Sequence, residues 1–431
     1  MNHTKDRLQY PSAAEELNLV HPLNKGLGAI EAPLAEGNIP KLGWNLLHED
    51  LSLPTAVLYE DKLQHNLRWM QSVASAYCAK LAPHGKTTMA PKLFARQIQA
   101  GAWGITLATA HQTLVAYAHG VRRVLMANQL IGKQNLEIVS RLLEDDEFEY
   151  FCLVDSAAQV ELLGNFFKAR GQRLNVLLEV GAEDGRTGVR DQEQLQATTA
   201  ALATWKSQLL LCGVEVYEGV LSDEASIRRL LERTLEVARE LSRENRFDRR
   251  PVILTGAGSA WYDVVAEIFS KADIGQEKEL ILRPGCYLTH DVGAYRAAQQ
   301  RILKSSTVAR NMGSNLQPAL QIWGYIQSVP EKEKAIINFG RRDVAFDAGL
   351  PVPVLHFRPG FAEPVAAPES WKLARIMDQH SFLHITAGDD IRVGDMVAFD
   401  ISHPCTTFDK WRYLPVLDSA YRVLDIVQTF F

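Results

Sequence analysis

Arg123-Val-Leu-Met-Ala-Asn128, Glu149-Tyr-Phe-Cys-Leu-Val-Asp155 and Leu174-Asn-Val-Leu-Leu-Glu-Val180 are apolar runs of strand length, separated from one another by amphipathic stretches of helical length. Strands that alternate with helices pair in parallel, because each helix is the crossover that returns the chain to the same end of the sheet. The same alternation extends in both directions: Lys80–His84 and Gly104–Thr109 precede these runs, and Leu209–Tyr217, Val252–Thr255 and Glu279–Arg283 come after them. Eight such units close into a cylinder, so the expected fold class is α/β with a (β/α)8 TIM barrel; the rival is an open doubly wound sheet, because periodicity carries no strand order. Just upstream, the β-rich run Thr55–Tyr59 leads into a helix that starts at Glu60 and Asp61. Its buried face is Leu63, Leu67, Met70, Val73 and Tyr77, spaced by three and four.

Beyond residue 300 the texture changes. Leu320–Ser328, Ala335–Phe339, Val352–Arg358, Phe382–Thr386, Met396–Ile401 and Tyr421–Phe431 read as strands with few helices between them, which predicts a mostly antiparallel β domain, and Pro364–Pro368 reads as a surface loop. Residues 1–50 show neither period and are expected to form an arm or packed extension. The expected organisation is thus 1–50 arm, 51–300 barrel and 301–431 β domain. The whole chain of 431 residues has a formal net charge of -5, which leaves no basic excess for nucleic acid. Met1–Glu16 lacks an apolar leader segment and no apolar run reaches membrane-spanning length, so no membrane partner is expected and the protein is expected to be cytoplasmic. The five cysteines are dispersed, as expected of reduced thiols.

Barrel enzymes place their chemistry where strands end. After the first strand comes Pro83-His-Gly-Lys-Thr87, whose Gly-Lys-Thr lacks the glycine of a nucleotide P-loop, since Lys80 stands in its place. Lys86 at this position is a candidate to form a Schiff base with a carbonyl. Thr255-Gly-Ala-Gly-Ser259 comes after the seventh strand and leads into a helix at Tyr262–Ser270, where bare amides favour an anion such as phosphate; Gly256, Gly258 and Ser259 suit that work. Arg186 lies on the glycine-flanked loop Glu183–Val189 after the fifth strand, Tyr217 precedes Glu218 and Gly219 after the sixth, and Tyr287 stands after the eighth. In the β domain, His403-Pro-Cys405 places an imidazole and a thiol two residues apart, a pair that suits zinc with open coordination positions.

These features together resemble the fold-type III pyridoxal phosphate enzymes, the alanine racemase-like group. Pro83–Thr87 with Gln99-Ala-Gly-Ala-Trp-Gly-Ile105, then Gly185–Val189, Thr255–Ser259, Arg283-Pro-Gly-Cys-Tyr287 and His403-Pro-Cys405, are similar in kind and order to the D-threonine aldolase and eukaryotic-type D-serine dehydratase family, over roughly residues 50–430. The resemblance implies that Lys86 carries pyridoxal 5'-phosphate covalently. Thr255, Gly256, Gly258 and Ser259 would hold its phosphate, Arg186 would stand near its ring nitrogen, and Tyr217 and Tyr287 would line it. His403 and Cys405 would bind Zn2+. Ala257 replaces a glycine of the family loop, and Asp378-Gln-His380 departs at both leading positions from an acidic-acidic-His segment of relatives.

The resemblance implies a lyase of D-amino acid metabolism, a D-serine deaminase (ammonia-lyase) that converts D-serine or a related D-3-hydroxy amino acid to a 2-oxo acid and ammonia. Cys405 favours the dehydratase, because the aldolase branch usually carries aspartate there. The alternatives are D-threonine aldolase, D-3-hydroxyaspartate dehydratase and, outside catalysis, a pyridoxal phosphate-binding homeostasis protein. A homodimer is the expected assembly.

Overall fold

The computed structural model describes residues 19–431, so the reading of Met1–Glu16 lies outside the described residues. The chain divides into two compact units: His65–His290 with Ala294–Gln317, and the remainder, in which the N-terminal stretch through Gln64 and Asp291–Gly293 join Pro318–Phe431.

The first unit is the barrel. Its strands, numbered one to eight in chain order, are Lys80–Leu81, Ile105–Leu107, Arg123–Gln129, Glu149–Val154, Leu174–Val180, Leu209–Val216, Val252–Gly256 and Lys278–Leu282. They lie in the cyclic order one, eight, seven, six, five, four, three, two, each pair parallel. A parallel bridge from His84 to Thr106, with Trp103 N–H donating to Leu81 O (2.6 Å) and Thr106 N–H to Pro83 O (2.9 Å), joins strand one to strand two and closes the ring. Closure excludes the open doubly wound rival.

The crossovers arise from local sequence. In Glu224–Arg243, Asp223 accepts from Ser226 N–H at 2.8 Å as the N-cap, and Ile227, Leu230, Leu231, Leu235, Ala238 and Leu241 form the buried face. Every strand or strand margin sends a side chain into one interior layer: Ala82, Trp103, Leu125, Phe151, Leu153, Leu177, Cys212, Ile253 and Ile281. Two residues further along, on the same face by the strand period, stand His84, Asp155, Glu179, Thr255 and Arg283. An apolar plug therefore carries a polar layer at the C-terminal mouth, and that layer positions the site.

The second unit is a mostly antiparallel sheet whose central strand, Leu320–Glu331, pairs with Met396–Asp400, Lys334–Ile337 and Thr55–Tyr59, the last of which also pairs in parallel with Tyr413–Leu417. Lys372–Ile376 and Tyr413–Leu417 are strands that the sequence pattern does not disclose, and Val365–Ala366, expected as loop, adds a short exposed strand beside Leu355 and His356. Val20, Leu27, Ile39, Trp44, Leu46, Leu51 and Leu53 join Trp323, Phe357, Met396 and Tyr413 in one core. Residues 20–53 thus supply one side of that core.

Candidate active site at the barrel mouth

Lys86 occupies the turn Gly85–Thr87 that comes after strand one. Thr87 N–H donates to His84 O (3.3 Å) and Met89 N–H to Gly85 O (2.9 Å), so the turn is fixed while the lysine side chain is exposed between buried neighbours. Beside it, burial holds the His84 imidazole well below its ordinary range, and the charges of Lys86, Arg283 and Arg186 press it further down. Its Nδ1 is buried without a hydrogen-bond partner. Three cations, Lys86, Arg283 and Arg186, thus act on this one imidazole.

Arg283 comes after strand eight and is 5% exposed. Its guanidinium donates to the Glu215 carboxylate of strand six and to Val216 O at 3.2 Å, while Nε has no partner. Burial pushes the Glu215 carboxyl up to about 8 against the attraction of Arg283, and Glu215 Oε2 is also unpartnered. Thr255, opposite Glu215 in the register of strands six and seven, is fully buried with an unpartnered Oγ1. Buried polar atoms are rarely left unpaired, so four such atoms at one mouth mark a place built for a polar ligand.

The loop after strand seven is organised by a carboxylate. Glu218, fully buried, accepts from Ala257 N–H (3.1 Å) and Gly258 N–H (2.7 Å), and burial raises its carboxyl. Gly256 packs against strand six, where a Cβ would lie 3.2 Å from Val216 O. Ala257 sits at φ 76°, a left-handed conformation that costs an L-residue about 1–2 kcal/mol. Ser259 Oγ accepts from Gly285 N–H (3.2 Å) and Cys286 N–H (3.1 Å), so a hydroxyl and two amides from the ends of strands seven and eight converge. This cluster of small polar groups is of the kind a phosphate takes, although the two amides are given to Ser259 Oγ just as the Gly258 amide is given to Glu218.

Tyr217 caps the turn Glu218–Val220, and the exposed Arg186 lies over its ring, 4.3 Å from the centroid. Burial raises the Tyr217 phenol, Glu218 adds to the rise, and Arg186 and Arg283 oppose it. Tyr287 is placed differently: it is buried, and its hydroxyl accepts from Gln97 Nε2 at 3.2 Å. A cleft of about 500 Å3 opens at the ends of strands two to five, with Thr109, Asn128, Gln129, Asn135, Asp155 and Thr187 in its lining. Asp155 is the one charged side chain that the described residues contribute to it; it accepts from Gln129 Nε2 (3.1 Å) and Gly188 N–H (3.0 Å).

In the β unit, His403 and Cys405 come together across a bend and not along an extended segment: Pro404 is helical and Cys405 opens the single turn Cys405–Phe408. The hydrogen bond to Cys405 pushes the His403 imidazole up to about 9, with Asp347 adding to the rise. Among the described residues no group of three or more His, Cys, Asp or Glu is placed to hold a metal. His380 is exposed in the bend between Lys372–Ile376 and Ser381–His384 and joins no such group among the described residues. No helix of the described residues is long and apolar enough to cross a membrane.

Glu215, Glu218, Arg283 and the Gly285 and Cys286 amides carry much of this geometry without having been assigned roles from the sequence. The usable signal was position, since each ends a barrel strand or stands just beyond one.

Comparison with known proteins agrees with this architecture. Residues 59–270 match the alanine racemase N-terminal domain family, and residues 319–417 match the serine dehydratase domain family. A D-threonine aldolase of Arthrobacter sp is 22% identical over 363 residues, covering 83% of this chain and 86% of that protein. A D-threo-3-hydroxyaspartate dehydratase of Delftia sp. (strain HT23) is 29% identical over 139 residues, 32% of this chain and 36% of its own length. Among solved structures, the D-threonine aldolase from Filomicrobium marinum superposes with a TM-score of 0.72 at 21% identity, covering 90% of this chain and 97% of the other. The Delftia dehydratase superposes at 0.67 and 21% identity, covering 90% and 99%.

Proposed function

We propose, for a chain that belongs to the fold-type III pyridoxal phosphate enzymes and joins an alanine racemase-type domain to a serine dehydratase-type domain, that it is a D-serine dehydratase releasing pyruvate and ammonia. The residues at the mouth fit the cofactor. Lys86 Nζ would hold its aldehyde carbon, Ser259 Oγ with the Gly285 and Cys286 amides would hold its phosphate, and Tyr217 would flank it. Arg186 and Arg283 are the two cations for its ring nitrogen, and the buried, unpartnered Nε makes Arg283 the better placed. His403 and Cys405, an imidazole and a thiol brought together by the bend at Pro404, are donors of the type that zinc takes.

When bound, the cofactor supplies a sink for the electrons released at Cα, and zinc supplies a Lewis acid for the departing β-hydroxyl. The chain's own residues do the remaining work. Lys86 Nζ would take the Cα proton as general base. His84, held neutral, adds no positive charge beside the lysine, and an arginine beside the ring nitrogen would disfavour protonation of that atom.

The observation that carries the dehydratase reading is the His403–Cys405 pair in a chain whose barrel mouth presents Lys86. Purified protein loaded with pyridoxal phosphate and zinc is expected to form pyruvate from D-serine and none from L-serine. Glycine and acetaldehyde from D-threonine, with no pyruvate from D-serine, would move the assignment to the aldolase.

A further inference from the structure

His403 touches a second side chain. Asp347 Oδ2 lies 2.7 Å from His403 Nδ1, and Asp347 Oδ1 accepts from Thr406 Oγ1 at 2.8 Å. The segment that bears Asp347 is stitched to the segment that bears the pair. Ser402 Oγ donates to Gly349 O at 2.6 Å, Thr407 Oγ1 accepts from Ala345 N–H at 3.1 Å, and Thr407 Oγ1 donates to His403 O at 3.0 Å. Gly349, at φ 113°, supplies a turn that a side chain would strain. Asp347 is therefore held with one oxygen fixed by Thr406 and the other aimed at the imidazole.

An imidazole whose Nδ1–H donates to a carboxylate is locked in one tautomer and one ring orientation, with a more basic lone pair left on Nε2. Asp347 is not a third ligand by geometry, since no three such groups converge among the described residues. We propose that Asp347 is a positioning residue for metal binding: it fixes the His403 tautomer and ring plane so that Nε2 and the Cys405 thiolate present a ready donor pair to zinc. This rests on the reading that His403 and Cys405 hold the metal.

Zinc affinity, measured by competition with a chelating dye on the full-length, cofactor-loaded protein, tests it. Wild type is expected to bind one zinc ion per chain, and His403→Ala is expected to abolish binding. Asp347→Asn and Asp347→Ala are expected to weaken it by roughly 10–100-fold, with cofactor absorbance and the melting temperature of the zinc-free protein unchanged. Thr406→Val, which leaves the carboxylate–imidazole bond in place, is expected to stay within about threefold of wild type, against the 10–100-fold loss. Zinc bound by both Asp347 variants as tightly as by wild type overturns the role of Asp347 and leaves the donor pair standing. Wild type that binds no zinc overturns the donor pair and the inference with it.

Discussion

Replacing Gly285 by alanine tests whether the lysine turn and the amide cradle form one site. Gly285 abuts the turn that carries Lys86: a methyl there would lie 2.6 Å from Thr87 Oγ1, 2.8 Å from His84 O and 3.0 Å from His84 Cβ. Ordinary contact is nearer 3.4 Å, so the two loops must separate by roughly 0.6–0.8 Å. The His84 carbonyl has little room to yield, because it already accepts from Thr87 N–H at 3.3 Å. Overpacking of this kind costs about 1–3 kcal/mol, a fall in melting temperature of roughly 2–10 °C for a unit of this size. The same shift moves the Gly285 and Cys286 amides away from Lys86. A misplacement of about 1 Å can cost 100-fold in a reaction, so roughly tenfold weaker cofactor loading is expected. The assay is absorbance titration with pyridoxal phosphate beside a circular dichroism melt, with Gly37→Ala as control because nothing lies within 4 Å of a methyl there. Wild-type loading and melting in Gly285→Ala would refute the shared site.

The neighbouring contacts predict further outcomes. Glu218→Ala strands the buried Ala257 and Gly258 amides at about 1–3 kcal/mol each, and Glu218→Gln, which keeps one acceptor, is expected to lose roughly half as much in denaturant melts. The Glu215 carboxyl is raised to about 8, so its contribution to stability is fully present at acid pH, below the ordinary Glu value, and is lost as pH rises through about 8. Urea midpoints of wild type should fall across that window, and those of Glu215→Gln should fall less. Deleting residues through Pro54 removes Val20, Leu27, Ile39, Trp44, Leu46, Leu51 and Leu53 from the β-unit core. At about 1.5–3 kcal/mol each this exceeds the stability of a typical domain, so the truncated chain should lose the near-ultraviolet dichroism of that unit.

The barrel was legible because buried parallel strands read as continuous apolar runs and their crossovers carry a helical period. Thr55–Tyr59 was legible as a strand, but its partners, Leu320–Glu331 and Tyr413–Leu417, lie hundreds of residues away, and no local pattern records a pairing of that range. Lys372–Ile376 escaped notice because it is half exposed and punctuated by charge. Lys86, Arg186, Tyr217 and the Thr255–Ser259 loop were singled out as candidates by their place after strand ends. Glu215 and Glu218 were not singled out, because a carboxylate in a sequence looks the same whether it is solvated or buried against amides. Asp347 was invisible for another reason: its partner His403 is remote in the chain, and only the folded β unit brings them to 2.7 Å.

The covalent bond expected at Lys86 can be measured directly by reducing the pyridoxal phosphate-loaded protein with borohydride and mapping the modified peptide by mass spectrometry. The account predicts a phosphopyridoxyl group on Lys86. Its attachment to Lys80 or Lys92 instead, or an unlabelled protein, would contradict it.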